Sequence, residues 1–364
     1  MNHDATDELF YRRSVDGGKR FSERVRVNRK TGDVWGFSVS KPVLSVAPDG
    51  SIHVMFTGMG MHDGKSVLVA RYTRSLDDGR TFEPSRTLNS PAANDLSGVM
   101  HGGFAAAHAF GTLTTDAQGG VHVYWIDTRL MSEQDTAGAL FAATSRDNGE
   151  TFASDAAVYA NQVCPCCQLD AATRGEQVFL SSRWVFDGGS RDSAVAISND
   201  SGRTFPEPAR LGEGRWMIDG CPLKRATIAV VDEHVYTAWF TAGQDPAGAY
   251  FARSADGGET YQKSFALHPD ALISDAPSVA ALEDGTVFVA WHAKTGDLRR
   301  VFVSVSADYG QSFSAPVEVP APEGTAAYPE IVAGGGRAYL AWQQDEAAFV
   351  MPLERVATAT AAQR

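Results

Sequence analysis

The sequence of 364 residues has no apolar run near the ~18–20 residues that a membrane-crossing helix needs. It has no block of Lys or Arg, and its formal net charge is −12. Nucleic acid and anionic membrane surfaces are therefore not expected partners. It shows no low-complexity tract, no linker and no helix-period segment, and nothing in it points to a nucleotide cofactor. Cysteine is scarce, with Cys164, Cys166, Cys167 and Cys221 as the whole supply. Hydrophobic content, at 43%, is ordinary for a chain with a packed core.

What the chain does have is a repeat. The octet Ser75-Leu-Asp-Asp-Gly-Arg-Thr-Phe82 recurs from Ser14, Ser145, Ser198, Ser254 and Ser306, at intervals of 61, 70, 53, 56 and 52 residues. Such periods mean stacked supersecondary units. The octet reads as a turn. Ser and Asp side chains bond nearby backbone N–H groups, Gly supplies a positive φ, and the closing aromatic opens a strand. In the first copy Arg20 stands where the others have Thr or Ser, so one turn bond should be missing there. The octet resembles the Asp box, or BNR repeat, of the sialidase superfamily. That resemblance implies a propeller with the boxes on the face away from the active end.

Ahead of each of the last five boxes lies an alternating strand ending in a bulky residue: His53–Phe56, Val121–Trp125, Val178–Trp184, Val235–Trp239 and Val287–Trp291. A further copy, Ala338–Trp342, has no box after it. Alternation of this composition predicts half-buried strands. Short Gly-containing hairpins precede most of them. One unit thus reads as four antiparallel strands, a propeller blade. The expectation is an all-β fold, with residues 1–364 forming one six-bladed β-propeller. Complete blades span about 41–90, 103–161, 168–213, 224–268 and 275–320. The sixth is split, with 326–351 giving its early strands and 8–28 its third strand (Leu9 to Arg13), box and fourth strand. Closing the ring from both termini would remove free sheet edges.

In such a ring the loops leading into first strands, and those joining second to third strands, converge at one end of the axis. The residues with chemistry fall there. Leading loops carry Lys41, His101, the Cys164-Pro-Cys-Cys167 run, Trp216, Cys221, Lys224, Arg225, Asp275, Tyr328 and Glu330. The second set carries His62, Arg129, Arg183, Arg191 and His292. All four cysteines belong to two consecutive leading loops.

Three readings of those cysteines stay open. An even count suits structural disulfides, with Cys164 or Cys167 bridged to Cys221. Three or four converging thiolates also suit a soft metal, copper or zinc, with His101, His62 or His292 completing the shell. A reactive thiol beside Lys224 and Arg225 is the third reading. The expected ligands at the axis are a metal ion, a small molecule or a glycan.

The sialidase resemblance implies a further site. Sialidases clamp a substrate carboxylate with three arginines by paired charge-assisted bonds. They attack through a Tyr activated by a Glu. Tyr328 stands about where the family keeps its nucleophile; Glu330, two residues on, would share its face along a regular strand, although the family's partner Glu usually comes from another blade. Arg129, Arg183 and Arg225 are the clamp candidates, with Trp216, Lys224, His62 and His292 beside the substrate. The chain departs from the family in having Lys41 near the place of an early clamp Arg, and Lys cannot reproduce a planar two-point grip. A non-catalytic glycan- or protein-binding propeller is the remaining alternative. The N-terminal stretch MNHDATDELF has no signal-peptide pattern. Propellers of this kind are commonly exported, so the resemblance implies a periplasmic or secreted protein with its signal removed, a cytoplasmic one being the alternative.

Overall fold

The computed structural model of the protein describes residues 8–37, 39–91, 94–98 and 103–353. Strands β1 (Phe10–Tyr11) and β2 (Val25–Arg26) flank the first box. Sheets follow in chain order. The first holds β3 (Val43–Val46), β4 (Ile52–His62), β5 (Lys65–Ser75) and β6 (Arg86–Thr87). The second holds β7 (Ala106–Thr115), β8 (Val121–Asp127), β9 (Gly138–Ser145) and β10 (Ala156–Val163). The third holds β11 (Asp170–Arg174), β12 (Gln177–Val185), β13 (Arg191–Ser198) and β14 (Ala209–Arg210). The fourth holds β15 (Ala226–Val231), β16 (His234–Thr241), β17 (Gly248–Ser254) and β18 (Phe265–Ala266). The fifth holds β19 (Ser274–Ala281), β20 (Val287–Thr295), β21 (Leu298–Ser306) and β22 (Val317–Glu318). The last holds β23 (Ala326–Gly334), β24 (Arg337–Gln344) and β25 (Ala347–Pro352).

Within each sheet, consecutive strands pair antiparallel. The first strands β3, β7, β11, β15, β19 and β23 each pack against the next, so the sheets fan out around a common axis. This is an all-β propeller. The second strands fill the space between sheets. Trp125, Trp184, Trp239 and Trp291 are almost wholly buried. Each removes about 200 Å² from water, a gross gain of about 5 kcal/mol before chain entropy is counted.

The boxes close the turns between third and fourth strands. In all six, the Ser oxygen accepts the Gly N–H at 2.8–2.9 Å. The Asp Oδ1 accepts the backbone N–H four residues on at 2.8–2.9 Å. In five copies a Thr or Ser hydroxyl also donates to Asp Oδ2. Arg20 keeps only the backbone bond to Asp16, as its side chain requires. Each box also locks onto the preceding sheet. At Gly149, whose φ is +76°, a Cβ would sit 1.8 Å from the Tyr72 hydroxyl oxygen, so only Gly fits.

The closure differs from the expected one. The third strand of the last sheet is β25, paired with β24 from Gln344↔Ala347 to Tyr339↔Pro352. The segment Leu9 to Arg13 does not take that place; β1 pairs with β2 instead. The longer ladder wins because a nine-residue β23, an eight-residue β24 and a six-residue β25 run on through tight hairpins. Residues 8–28 form a separate hairpin wedged between the last sheet and the first. Tyr11 packs edge-on against Phe82 at 5.6 Å, and Arg13 pairs with Asp78 at 3.2 Å. On its other side, the box glycines Gly17 and Gly18 face Tyr339 and Val350.

Candidate metal centre and axial site

Antiparallel strands alternate ends, so leading loops and second hairpins gather opposite the boxes. Several first strands carry a bulge there. The ladders shift between Ala109 and Thr112, between Asp275 and Ser278, and between Ala327 and Glu330. Each bulge contains a residue of positive φ: Phe110 at 54°, Ala276 at 48° and Tyr328 at 53°. A bulge adds a residue and re-aims the side chains beside it. The simple alternation expected of Tyr328 and Glu330 is broken for this reason.

The three nearest cysteines converge. Cys164 Sγ lies 3.8 Å from Cys166 Sγ and 3.7 Å from Cys167 Sγ. All three sulfurs lie within 4.8 Å of one another. The loop is pinned from both sides: Cys164 N–H donates to the Arg183 carbonyl at 2.8 Å, and Leu169 N–H to the Phe110 carbonyl at 3.0 Å. Cys221, 57 positions after Cys164, comes from the next leading loop, which Lys224 ties to the cluster, and stands outside the group of three. Lys224 N–H donates to Cys167 Sγ at 3.4 Å, and Arg191 donates to Cys164 Sγ at 3.2 Å. All four thiols are free. Hydrogen bonds from Cys166 and Cys167 hold Cys164 well below the usual thiol range, and Arg191 and Arg183 add to this. The same bonds push Cys166 up. Burial pushes Cys167 up to about 12.

Beside the sulfurs is a polar hub. Gln168 ties two sheets together: it accepts Lys41 N–H at 3.1 Å and donates to the carbonyls of Lys41 at 2.7 Å and Gly111 at 3.2 Å. Glu330 accepts Lys41 Nζ at 2.7 Å and both Arg225 amino groups at 3.0 Å. Arg225 also lies 3.6 Å from Asp170. Burial raises Asp170; it works against Glu330 too, but Arg225 and Lys41 outweigh it and hold that carboxyl low. Lys224 pairs closely with Asp275, which stands 3.9 Å from His292. His292 accepts Tyr328 N–H at 3.1 Å, and burial lowers its pKa to about 4, leaving a neutral ring. The Tyr328 ring lies 5.4 Å from both the His292 ring and Lys41 Nζ.

The structure thus brings Cys164, Cys166, Cys167, Cys221, Lys224, Arg225, His292, Tyr328 and Glu330 to one end. It does not assemble the expected arginine clamp. Arg129 is locked by Asp127 and Asp155, both at 2.6 Å. Arg183 is fully buried and donates to the carbonyls of Arg191 and Phe240 at 2.7 Å. Both arginines satisfy buried acceptors, which removes them from a carboxylate site. Trp216 covers Arg183, with 4.9 Å from guanidinium to ring, and its N–H is held by Asp192. His62 stands at the β4–β5 tip beside Asp63, and neither it nor His292 belongs to the sulfur cluster. His101 lies outside the described residues. Two participants went unassigned in sequence: Asp170, and Arg191 as the partner of Cys164. Asp170 follows Gln168 by two residues at the head of a first strand, which was the available signal.

Residues 177–356 match the BNR repeat-like domain family. No curated protein matches the chain in sequence. Among solved structures, the chain is similar to a Hadza microbial sialidase at 16% identity and a TM-score of 0.60, over 92% of this chain and 73% of that one. It is similar to a Trypanosoma rangeli sialidase mutant displaying trans-sialidase activity at 13% identity and 0.56, over 99% of this chain and 60% of that one. An ulvan lyase, a polysaccharide lyase, matches at 13% identity and 0.57, over 93% of this chain and 88% of that one. At such identities the likeness is one of fold. Among the described residues, no helix is long and apolar enough to cross a membrane. With its six boxes and its ring of sheets, the chain has the fold of a sialidase-like β-propeller, and its residues 177–356 carry the match to the BNR repeat-like domain.

Proposed function

We propose that the thiols at the hub bind one soft metal ion, copper or zinc. The carrying observation is the sulfur spacing. Metal–thiolate bonds of about 2.3 Å in tetrahedral geometry set sulfurs about 3.8 Å apart. The two measured edges at Cys164 are 3.8 and 3.7 Å, already at that separation. Arg191 and the Lys224 N–H supply outer-shell bonds of the kind that orient thiolate ligands. The test is elemental analysis of reduced protein with a free-thiol count. About one metal per chain is expected, and it should be lost in Cys164→Ser. Metal-free protein with two disulfides would end this reading. A periplasmic or secreted setting belongs to the same proposal, tested by cell fractionation.

A second reading is an exo-glycosidase of sialidase type acting on an acidic glycan. Its support is the fold and the meeting of Tyr328, Glu330 and Arg225 at the hub. Against it, both Glu330 oxygens are engaged by Lys41 and Arg225. Release of a fluorescent group from a sialoside, abolished by Tyr328→Phe, would support it.

A further inference from the structure

The four cysteines are not equivalent. Cys164, Cys166 and Cys167 are buried, at 0%, 7% and 1% exposure, inside the largest apolar cluster, with Val163, Leu169 and Trp184 around them. Cys221 is exposed. Its loop is pinned at both ends. At one end Trp216 N–H donates to Asp192 Oδ1 at 2.9 Å and Arg191 N–H to the Trp216 carbonyl at 2.9 Å. At the other, Lys224 N–H is held by Cys167. Between them, Met217 and Cys221 face solvent, and Gly220 has a φ of 145° with open space where a Cβ would be. Cys221 stands outside the three clustered sulfurs, on the loop that Lys224 N–H ties to Cys167 three residues later.

Three buried sulfurs with the fourth exposed and outside their group differ from a closed structural zinc site, which holds four ligands around the ion. Three soft thiolates suit Cu(I). Resting on the metal reading above, we infer that the hub is a relay: Cys221 takes Cu(I) from a thiolate donor and passes it to the buried triad. In the exchange, a donor sulfur–copper bond breaks as the Cys221–copper bond forms. Bonds to the three buried sulfurs replace it. Copper stays monovalent and no electron moves. Each thiol that becomes a ligand gives its proton to water, and the released donor thiolates can take protons up. The partner class is therefore a small thiol or a protein thiol carrying Cu(I). Exposed Met217, four residues before Cys221, offers a further soft contact at the rim.

The test uses the reduced full-length chain and Cu(I) presented as its glutathione complex. Uptake and release are followed by stopped-flow competition with a chromophoric Cu(I) chelator. In Cys221→Ser, both rates should fall about tenfold or more while affinity changes less than about threefold. Cys221→Met, which keeps a soft ligand, should recover much of the rate. Wild-type rates in Cys221→Ser would overturn the relay. So would an affinity loss of about a hundredfold with unchanged uptake, which would make Cys221 an ordinary fourth ligand. If the wild-type chain takes up no Cu(I), the metal reading itself falls, and Cys164→Ser then behaves as wild type.

Discussion

Glu330→Gln probes the joint that ties the last sheet to the first and fourth. The amide keeps the shape and removes the charge. Lys41 loses its partner at 2.7 Å, and Arg225 keeps only Asp170 at 3.6 Å. Removing one member of a buried pair costs about 3–5 kcal/mol. The Glu330 side chain is 32% exposed, so the lower end, about 3 kcal/mol, applies. At roughly 2.1 cal/mol/K per residue, unfolding 364 residues carries about 0.76 kcal/mol/K, so Tm should drop about 4 °C. The drop should depend on pH. Arg225 and Lys41, against burial, hold the carboxyl below the ordinary Glu value. Its contribution is therefore present above about pH 4.3 and is lost as pH falls through the folded value. Scanning calorimetry of reduced wild type and variant between about pH 3 and 7 reads both effects. A shift under about 1 °C at neutral pH, or an equal deficit at both ends of the range, would refute the reasoning. Repeating the change in a Lys41→Met background measures the coupling directly.

Two further expectations concern the hub and the rim. His292 should stay neutral by NMR down to about pH 5, because burial holds its pKa near 4. Its folded value is depressed, so stability is full above about pH 6.5 and declines toward pH 4; His292→Gln should flatten that slope, and a ring titrating near 6.5 would contradict the packing. Gly149→Ala forces a methyl group onto the Tyr72 hydroxyl at positive φ and should cost about 2–3 kcal/mol by chemical denaturation. Part of that loss should return in a Tyr72→Phe background, and an unchanged midpoint would mean that the box does not press on its neighbour.

The sheets were legible because their signals are local. A Ser-x-Asp-x-Gly octet can hardly be anything but a turn, and Val235 to Trp239 alternates with the period of a strand. That the loop of Cys221 lies beside the loop of Cys164, Cys166 and Cys167 was legible at one remove: consecutive leading loops in a ring must be neighbours. Other features depend on choices that no local pattern encodes. Arg129 and Arg183 look like free cations in sequence, but the fold surrounds them with Asp127, Asp155 and backbone carbonyls. The bulge at Tyr328 breaks alternation without a Gly to announce it. Leu9 to Arg13 alternates well enough to serve as a third strand, yet β25 competes for the same edge with a longer ladder.

The wedge of residues 8–28 gives the ring a weak radius. Its own ladder is two residues long on each strand; the side chains of Tyr11 and Arg13 grip the first sheet, and Gly17 and Gly18 face the last. Under tension applied from the N-terminal side, this clasp should peel away first, at low force. The buried indoles of Trp125, Trp184, Trp239 and Trp291 between the other sheets would still be in place at that moment, and the thiols, on a different sector of the wheel, would not feel the pull.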